Sequence, residues 1–417
     1  MEDNTCNRCN ATIILLISRL VLWSQETIQQ EVKPCCIHVF VRYDDTGREN
    51  QLDSYIFDLM ETQDYENIFF CQEKALGLKA IIAIHDTTLG PAAGGIRMWP
   101  YESEVDAIKD VLRLARGMTY KCAAAGASYG GGKCVVIGDP KYDKTEVRLR
   151  ALGRFINRLN GLFLTGVDVG TTPEDMLVIR QETPYVVTVP EAWGGPGDGS
   201  QATAYGVVQG IRACLKEVYG SPDLQGRTIA LQGIGAVGTH ALKYLIEAGA
   251  IVTISDIDQE RTRLIAAQYD SGIVFPEEIH SLRFDVYCPC ALGNVLNDRT
   301  IPELRCKIVC GSANNQLGDN HHGDELQARG ILYAPDYIVN AGGLLFNLDS
   351  LNPGGFNDRR AMDQVSRLYN SMENIIAISK EQNISTYRAA DVLAEQRIAS
   401  IRQLKSLASG NERSREK

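Results

Sequence analysis

With 417 residues, 44% apolar and 23% charged, the chain is long enough for two ordinary domains with full hydrophobic cores. A net charge of −10 and a pI near 5.3, with no dense run of lysine and arginine, exclude a phosphate-tracking stripe and argue against nucleic acid as a partner. Twelve cysteines without a repeated spacing read as reduced core thiols of a cytoplasmic protein.

Residues 1–53 read as an N-terminal extension that carries no chemistry. Its apolar run at 11–23 contains Arg19 and follows Glu2 and Asp3, so it is too short and too interrupted to span a bilayer, and no membrane association is expected. Cys6 and Cys9 form a single CxxC with no second pair at finger spacing, and no metal is expected.

Residues 54–189 alternate strands and helices and are read as one α/β domain. A short helix starts at Ile56, an apolar strand covers 80–84, and "LGPAAGGIRMWP" reads as a glycine-rich turn. Val105, Ile108, Leu112 and Ala115 recur at helical spacing over 102–117. Strands are expected at 134–137 and 162–165, with a helix at 146–159 between them.

Glycine and proline concentrate in "PEAWGGPGDGS" at 190–200, which marks a domain boundary. The second domain, 190–350, opens with a helix at 202–219, followed by a strand at 228–232, a glycine turn, a helix at 236–248 and a strand at 251–255. That is a complete βαβ unit. Further strands at 286–288, 307–310 and 331–333 each lead into a loop, "PCALGN", "GSANNQL" and "APDYIVNAGG". In a doubly wound sheet such loops ring the ligand. Residues 351–417 are expected to be helical and to pack back across both domains. The expected fold class is therefore α/β, with a substrate domain followed by a doubly wound Rossmann domain.

Two segments carry chemistry. Gly233, Ile234, Gly235, Ala236, Val237 and Gly238 spell GxGxxG between a predicted strand and helix, and Asp256 ends the next strand. The first glycine permits the tight turn, the second admits a pyrophosphate and the third lets helix meet strand, so a dinucleotide is expected. Asp256 is placed to accept from ribose hydroxyls and to repel a 2′-phosphate, which favours NAD over NADP. The other segment, "RGMTYKCAAAGASYGGGK", holds Lys121 and Lys133. It is not a P-loop, because glycine stands where the phosphate lysine belongs and Cys134 where Ser or Thr should bind magnesium. Three glycines before Lys133 are expected to open an approach along the backbone to an amine that acts as a base.

From about 56 to 401 the chain resembles the glutamate, leucine, phenylalanine and valine dehydrogenases, the leucine branch above all. The resemblance runs in order through "LKAIIAIHDTTLGPAAGG", "RLARGMTYK", "GGGK", "DVGTTPEDM", "TAYGVVQGI", "PCALG", "GSANNQL" and "YAPDYIVNAGG". It implies that Lys121 pairs with a substrate carboxylate, Lys133 is the catalytic base, and Asp168 holds the substrate amine and shuttles its proton. It implies further that Gly94 lies beside the substrate, and that Thr203 and Asn314 seat the nicotinamide half of the cofactor. A closed cleft holding two ammonium groups disfavours the second charge, so the Lys133 amine is expected to titrate toward neutrality. A homo-oligomer is also implied.

Glutamate-specific relatives carry a lysine where this chain has Ala93, so glutamate is not expected as substrate. Ala93 and Gly166 are smaller than the residues of leucine-preferring relatives, while Leu344 is bulkier than the usual valine. An aliphatic substrate of the leucine, valine and isoleucine type is expected, with phenylalanine or tryptophan as the alternative. "GGLLFNLDS" also departs from the family pattern at Phe346 and Asn347. Two readings of another class stay open: a silent dinucleotide-binding sensor, and a hydroxy-acid dehydrogenase using a histidine. The only clustered histidines, His321 and His322, are expected at the surface of a polar loop.

Overall fold

The computed structural model describes residues 56–413, so the extension at 1–53, its apolar run and its cysteines lie outside the described residues. Met60–Lys417 forms one compact unit. It is built on two sheets whose sequences fall on either side of the boundary expected at 190–200.

After the short helix α1 (Ile56–Glu61), the first sheet takes β1 (Asn67–Glu73), β2 (Leu78–Asp86), β3 (Ala92–Trp99), β4 (Gly130–Ile137) and β5 (Phe163–Val167). Their spatial order is β1-β2-β4-β3-β5. β2 runs antiparallel to β1 and β4, whereas β3 is parallel to both β4 and β5. Helices α2 (Glu104–Ala124), α3 (Glu146–Arg158) and α4 (Pro173–Arg180) are the connections.

Two expectations change here. "LGPAAGGIRMWP" is not a turn, because its residues from Ala92 to Trp99 form a nearly fully buried central strand. The glycines of "GGGK" are likewise inside β4. A Cβ at Gly131 would collide with the backbone nitrogen of Thr119, and one at Gly94 with the carbonyl oxygen of Gly132. These glycines therefore let α2 lie directly on the sheet and let β3 meet β4, rather than opening a path to Lys133.

Helix α2 begins where Ser103 Oγ accepts from the Asp106 N–H, with Glu104 and Asp106 in the first turn complementing the helix dipole. It continues seven residues beyond its expected end, because Thr119, Cys122, Ala123 and Ala124 extend the buried stripe. Lys121 is thus helical. Val105, expected on the apolar face, is 43% exposed instead.

The second sheet is parallel throughout, in the order β11-β10-β9-β6-β7-β8. Its strands are β6 (Thr228–Gln232), β7 (Ile251–Ser255), β8 (Gly272–Ile273), β9 (Val286–Pro289), β10 (Ile308–Val309) and β11 (Leu332–Tyr333). Helices α5 (Ser200–Tyr219), α6 (Ala236–Glu247), α7 (Gln259–Tyr269), α8 (His321–Ala328), α9 (Asp336–Val339) and α10 (Gly342–Leu348) complete the doubly wound layer. The glycine fingerprint sits at the β6–α6 turn, as its spacing requires.

The tail forms α11 (Asp358–Ser366), α12 (Leu368–Gln382) and α13 (Thr386–Arg413). Helix α13 contacts elements of both sheets' layers. Arg388 pairs with Asp324 of α8, while Arg397 donates to the carbonyls of Cys122, Ala123 and Gly126 at the end of α2. Arg402 reaches Asp86 of β2 at 2.6 Å. Cations at the α2 C-terminus satisfy orphan carbonyls and the negative dipole end together. Among the described residues, no helix is long and apolar enough to cross a membrane, and the described cysteines are all free thiols.

Because the obstacle at Gly131 is backbone of a packed helix, Gly131→Ala should destabilise the protein by about 2 kcal/mol or more. Urea denaturation would measure this; an unchanged midpoint would mean α2 can lift off β4 freely.

Candidate active site and dinucleotide cradle

Lys133 lies in β4 opposite Ala83 of β2. Its side chain is 6% exposed, and its Nζ is 3.2 Å from Oδ1 of Asp168. Asp168 follows β5, where its N–H donates to Thr171 Oγ1 and Thr171 Oγ1 donates to Ile96 O, pinning the loop back onto β3. The carboxylate's other oxygen, Oδ2, accepts from Arg97 Nε at 2.7 Å. Arg97 in turn pairs with Asp110 of α2 at 3.0 Å.

Burial lowers the pKa of the Lys133 ammonium, opposed by the Asp168 carboxylate and reinforced by the Arg97 cation. The like charge acting directly on Lys133 is thus chiefly Arg97, not Lys121 as expected. Asp168 is itself held below the usual carboxylate range: burial pushes it up, but Lys133 and Arg97 outweigh that.

Lys121, three helical turns along α2 from Asp110, donates from Nζ to Asn340 Oδ1 at 2.6 Å. Burial pulls its pKa down to about 8, against the attraction of Asp336 and with the repulsion of Lys133. Asn340, between α9 and α10, donates through Nδ2 to Ser312 O and to Asn314 Oδ1. One amide therefore ties the first sheet's lysine to the loop after β10.

A cavity of about 180 Å³ joins these groups. Lys121, Lys133 and Asp168 line its polar end; Ala93, Gly94, Gly166 and Leu344 line it too. Met118, Val187, Thr188, Asn347 and Leu348 complete the wall. A Cβ at Gly166 would press on Thr188 Oγ1, so the glycine and the threonine shape one another. Asn347 does enter the pocket. Its Nδ2 donates to Thr188 Oγ1 at 3.4 Å, while its buried Oδ1 has no partner among the described residues.

The glycine turn between β6 and α6 forms the candidate dinucleotide cradle. Gly233 has φ +96, and a Cβ there would strike Ala291 of the "PCALGN" loop; a Cβ at Gly238 would strike Gly233 O. A Cβ at Gly235 would meet nothing within 4 Å, and no side chain caps the first turn of α6. The free N–H groups at that helix end, facing open space at an exposed glycine, fit an anionic diphosphate.

Ile234 donates its N–H to Asp256 Oδ2 at 2.7 Å, and Asp256 Oδ1 accepts from Asp258 N–H and lies 3.3 Å from Arg261. Asp256 therefore also shapes the fingerprint turn, a task not foreseen for it. Those backbone donors and Arg261 hold its pKa down despite burial.

Thr203 stands at the start of α5, donating to Gly199 O and accepting from Gly343 N–H. Asn314 is exposed at the "SANN" loop, where its carbonyl covers Gly293 of the neighbouring loop. Contacts thus run without a break from the fingerprint through 291–293 and Asn314 to Asn340 and Lys121. His322, expected at the surface, is 4% exposed at the start of α8, against Asp298; His321 beside it is open to solvent. Neither lines the cavity.

Sequence reasoning missed Arg97, Asp110, Asn340 and Thr188. Only Arg97 offered a signal, as a charge inside an apolar run.

The fold and the paired sites define an amino acid dehydrogenase, an oxidoreductase that uses a nicotinamide dinucleotide. The Glu/Leu/Phe/Val dehydrogenase dimerisation domain matches residues 67–185, and the Glutamate/Leucine/Phenylalanine/Valine dehydrogenase domain matches 194–260 and 258–405. The chain belongs to that family.

A leucine dehydrogenase of Geobacillus stearothermophilus is 50% identical over 351 residues, covering 84% of this chain and 95% of that one. A phenylalanine dehydrogenase of Caldalkalibacillus thermarum is 46% identical, again over 84% and 95%. The crystal structure of L-tryptophan dehydrogenase from Nostoc punctiforme superposes with a TM-score of 0.76 at 43% identity, covering 84% of this chain and 99% of that one.

Gly235→Ala should leave the fold intact but place a methyl in the phosphate path, weakening NADH binding about tenfold or more. Fluorescence titration with unchanged circular dichroism would verify this; undiminished affinity would move the pyrophosphate elsewhere.

Proposed function

We propose that the protein catalyses NAD-dependent oxidative deamination of an apolar L-amino acid of the leucine, valine and isoleucine type to its 2-oxo acid and ammonia. The observation carrying this reading is Lys133 Nζ, buried 3.2 Å from Asp168 Oδ1, in a pocket that Lys121 also lines.

In this reading the Lys121 ammonium, anchored by Asn340, receives the substrate carboxylate. Asp168 Oδ1 receives the substrate amine and carries its proton. Bound across the cradle, the nicotinamide supplies a hydride acceptor for the substrate Cα. Lys133 Nζ, its pKa lowered by burial so that the amine can shed its charge, takes a proton from the water that attacks the resulting imine carbon. Lys133 then passes that proton to the carbinolamine nitrogen and takes up the hydroxyl proton as the C–N bond breaks and the carbonyl forms, releasing it to solvent, while Asp168 returns its proton to the departing ammonia. Thr203 and Asn314 border the nicotinamide, and the apolar wall keeps bulk water out. Assembly as a homo-oligomer belongs to the same proposal.

Ala93, where a lysine would be needed to meet a distal carboxylate, disfavours glutamate. Leu344, Leu348, Met118 and Val187 favour an aliphatic or aromatic side chain. One observation favours the aromatic alternative: Thr188 and Asn347 put polar groups into the cavity wall, suited to an indole N–H. A silent sensor would not need Lys121, Lys133 and Asp168 converging on one cavity.

NAD reduction measured over leucine, valine, isoleucine, phenylalanine, tryptophan and glutamate at alkaline pH ranks these readings. The aliphatic set is expected to lead and glutamate to fail. If tryptophan leads and Asn347→Val selectively lowers its kcat/KM, the indole reading replaces it. Lys133→Ala should lose at least about 10²-fold in kcat while still binding NADH; substantial residual turnover would refute the base.

For the cofactor, Asp256 supports NAD by repelling a 2′-phosphate, although Arg261 beside it dilutes that charge. Asp256→Ala should raise KM for NAD more than for NADP in steady-state assays. An equal rise in both would reduce Asp256 to a brace for the Ile234 turn.

A further inference from the structure

Lys133 is surrounded by charge from several elements. Asp168 faces it from the end of β5, Arg97 from β3, and Asp110 and Lys121 from α2. Tyr101, beyond β3, and Arg113 of α2 act on Asp110, and Asp336 of the second sheet's layer acts on Lys121. Within this set the Asp168 carboxylate is divided, with Oδ1 toward Lys133 at 3.2 Å and Oδ2 toward Arg97 Nε at 2.7 Å.

Strand register produces that division. Ile96 pairs with Val167 and Arg97 with Val135, so Arg97 lies beside Asp168, the residue after β5, and is itself the diagonal neighbour of Lys133, two residues from Val135 on the same sheet face. The guanidinium is held from behind as well. Its Nη1 is 3.0 Å from Asp110 Oδ2, to which Tyr101 Oη also donates at 2.7 Å, and Arg113 holds Asp110 Oδ1 at 2.7 Å.

We infer that Arg97 is a positioning residue for the deamination chemistry, holding one oxygen of Asp168 so that the other faces Lys133, and balancing the carboxylate so that the Lys133 amine can be uncharged. The inference rests on the proposed base role of Lys133. Without Arg97, the buried carboxylate would have Lys133 as its one counter-ion and would keep it protonated, a stable pair unable to accept a proton. Arginine suits this place because its charge persists at every pH the enzyme meets and its planar fork reaches Asp168 and Asp110 together.

The test is the pH dependence of kcat in Arg97→Gln and Arg97→Lys, using the best substrate of the amino acid panel. Removing the cation makes Lys133 harder to deprotonate, so the acid limb should move to higher pH by about one unit or more. Activity in Arg97→Gln should fall about tenfold or more on that limb and recover in strong alkali, with the limb partly restored in Arg97→Lys.

A loss equal at every pH would overturn the inference and leave Arg97 a brace of the fold. If Arg97→Gln does not fold by circular dichroism, Arg97→Lys carries the test. Its ammonium cannot reach Asp168 and Asp110 together as the planar fork does, so the limb should still move to higher pH but by less; an unmoved limb overturns the inference. Lys133→Ala separates the two proposals. Turnover in that variant removes the base reading, whereas its silence together with an unmoved Arg97→Gln limb removes this inference alone.

Discussion

Burying the Lys133 ammonium costs several kcal/mol unless a carboxylate compensates it, and Asp168 is the group that does so. That need constrains the first sheet. β3 must lie between β4 and β5 for the loop after Val167 to bring Asp168 over the face that carries Lys133. Helix α2 must sit close enough on that face to bring Lys121 and Asp110 into range, which only a glycine at 131 permits. The polarity of the cleft and the bareness of the strands beneath it are therefore one arrangement. Burial lowers the pKa of the Lys133 amine, and the neighbouring carboxylate opposes the shift.

The two sheets are joined by side chains rather than by a shared strand. Asn340 holds Lys121 with its carbonyl and the Asn314 loop with its amide, so the positions of that lysine and that loop are coupled through one residue. On the other side, Arg397 and Arg402 of α13 fasten α2 and β2 to a helix that also packs on α8. Asp256 has a comparable double task, since the carboxylate that would meet a ribose also holds the backbone of Ile234. A substitution at such a residue disturbs shape and chemistry at once.

Much of the second sheet was legible in the sequence. The strands at 228–232 and 251–255 lie where the apolar runs place them, because parallel strands buried on both faces leave uninterrupted hydrophobic text and the fingerprint glycines mark the turn between them. The first sheet was harder to read. "AAGGIRMW" and "GGGK" are glycine-rich central strands, and local propensity assigns glycine to turns; only the collision partners, carbonyls and amides of neighbouring elements, explain why glycine is required. Arg97 was missed for the same reason, since its partners Asp168 and Asp110 lie 71 and 13 residues away.

By itself the sequence determined the fold class, the glycine turn with its helix end, and the two lysines and aspartate that line one cavity, because each depends on local spacing or on residue type. Tertiary structure alone decided which oxygen of Asp168 serves Lys133, which amide holds Lys121, and that Asn347 joins Thr188 in the pocket wall. Those outcomes depend on strand order and on distances of a few ångströms between segments far apart in the chain, quantities that no short window of residues contains.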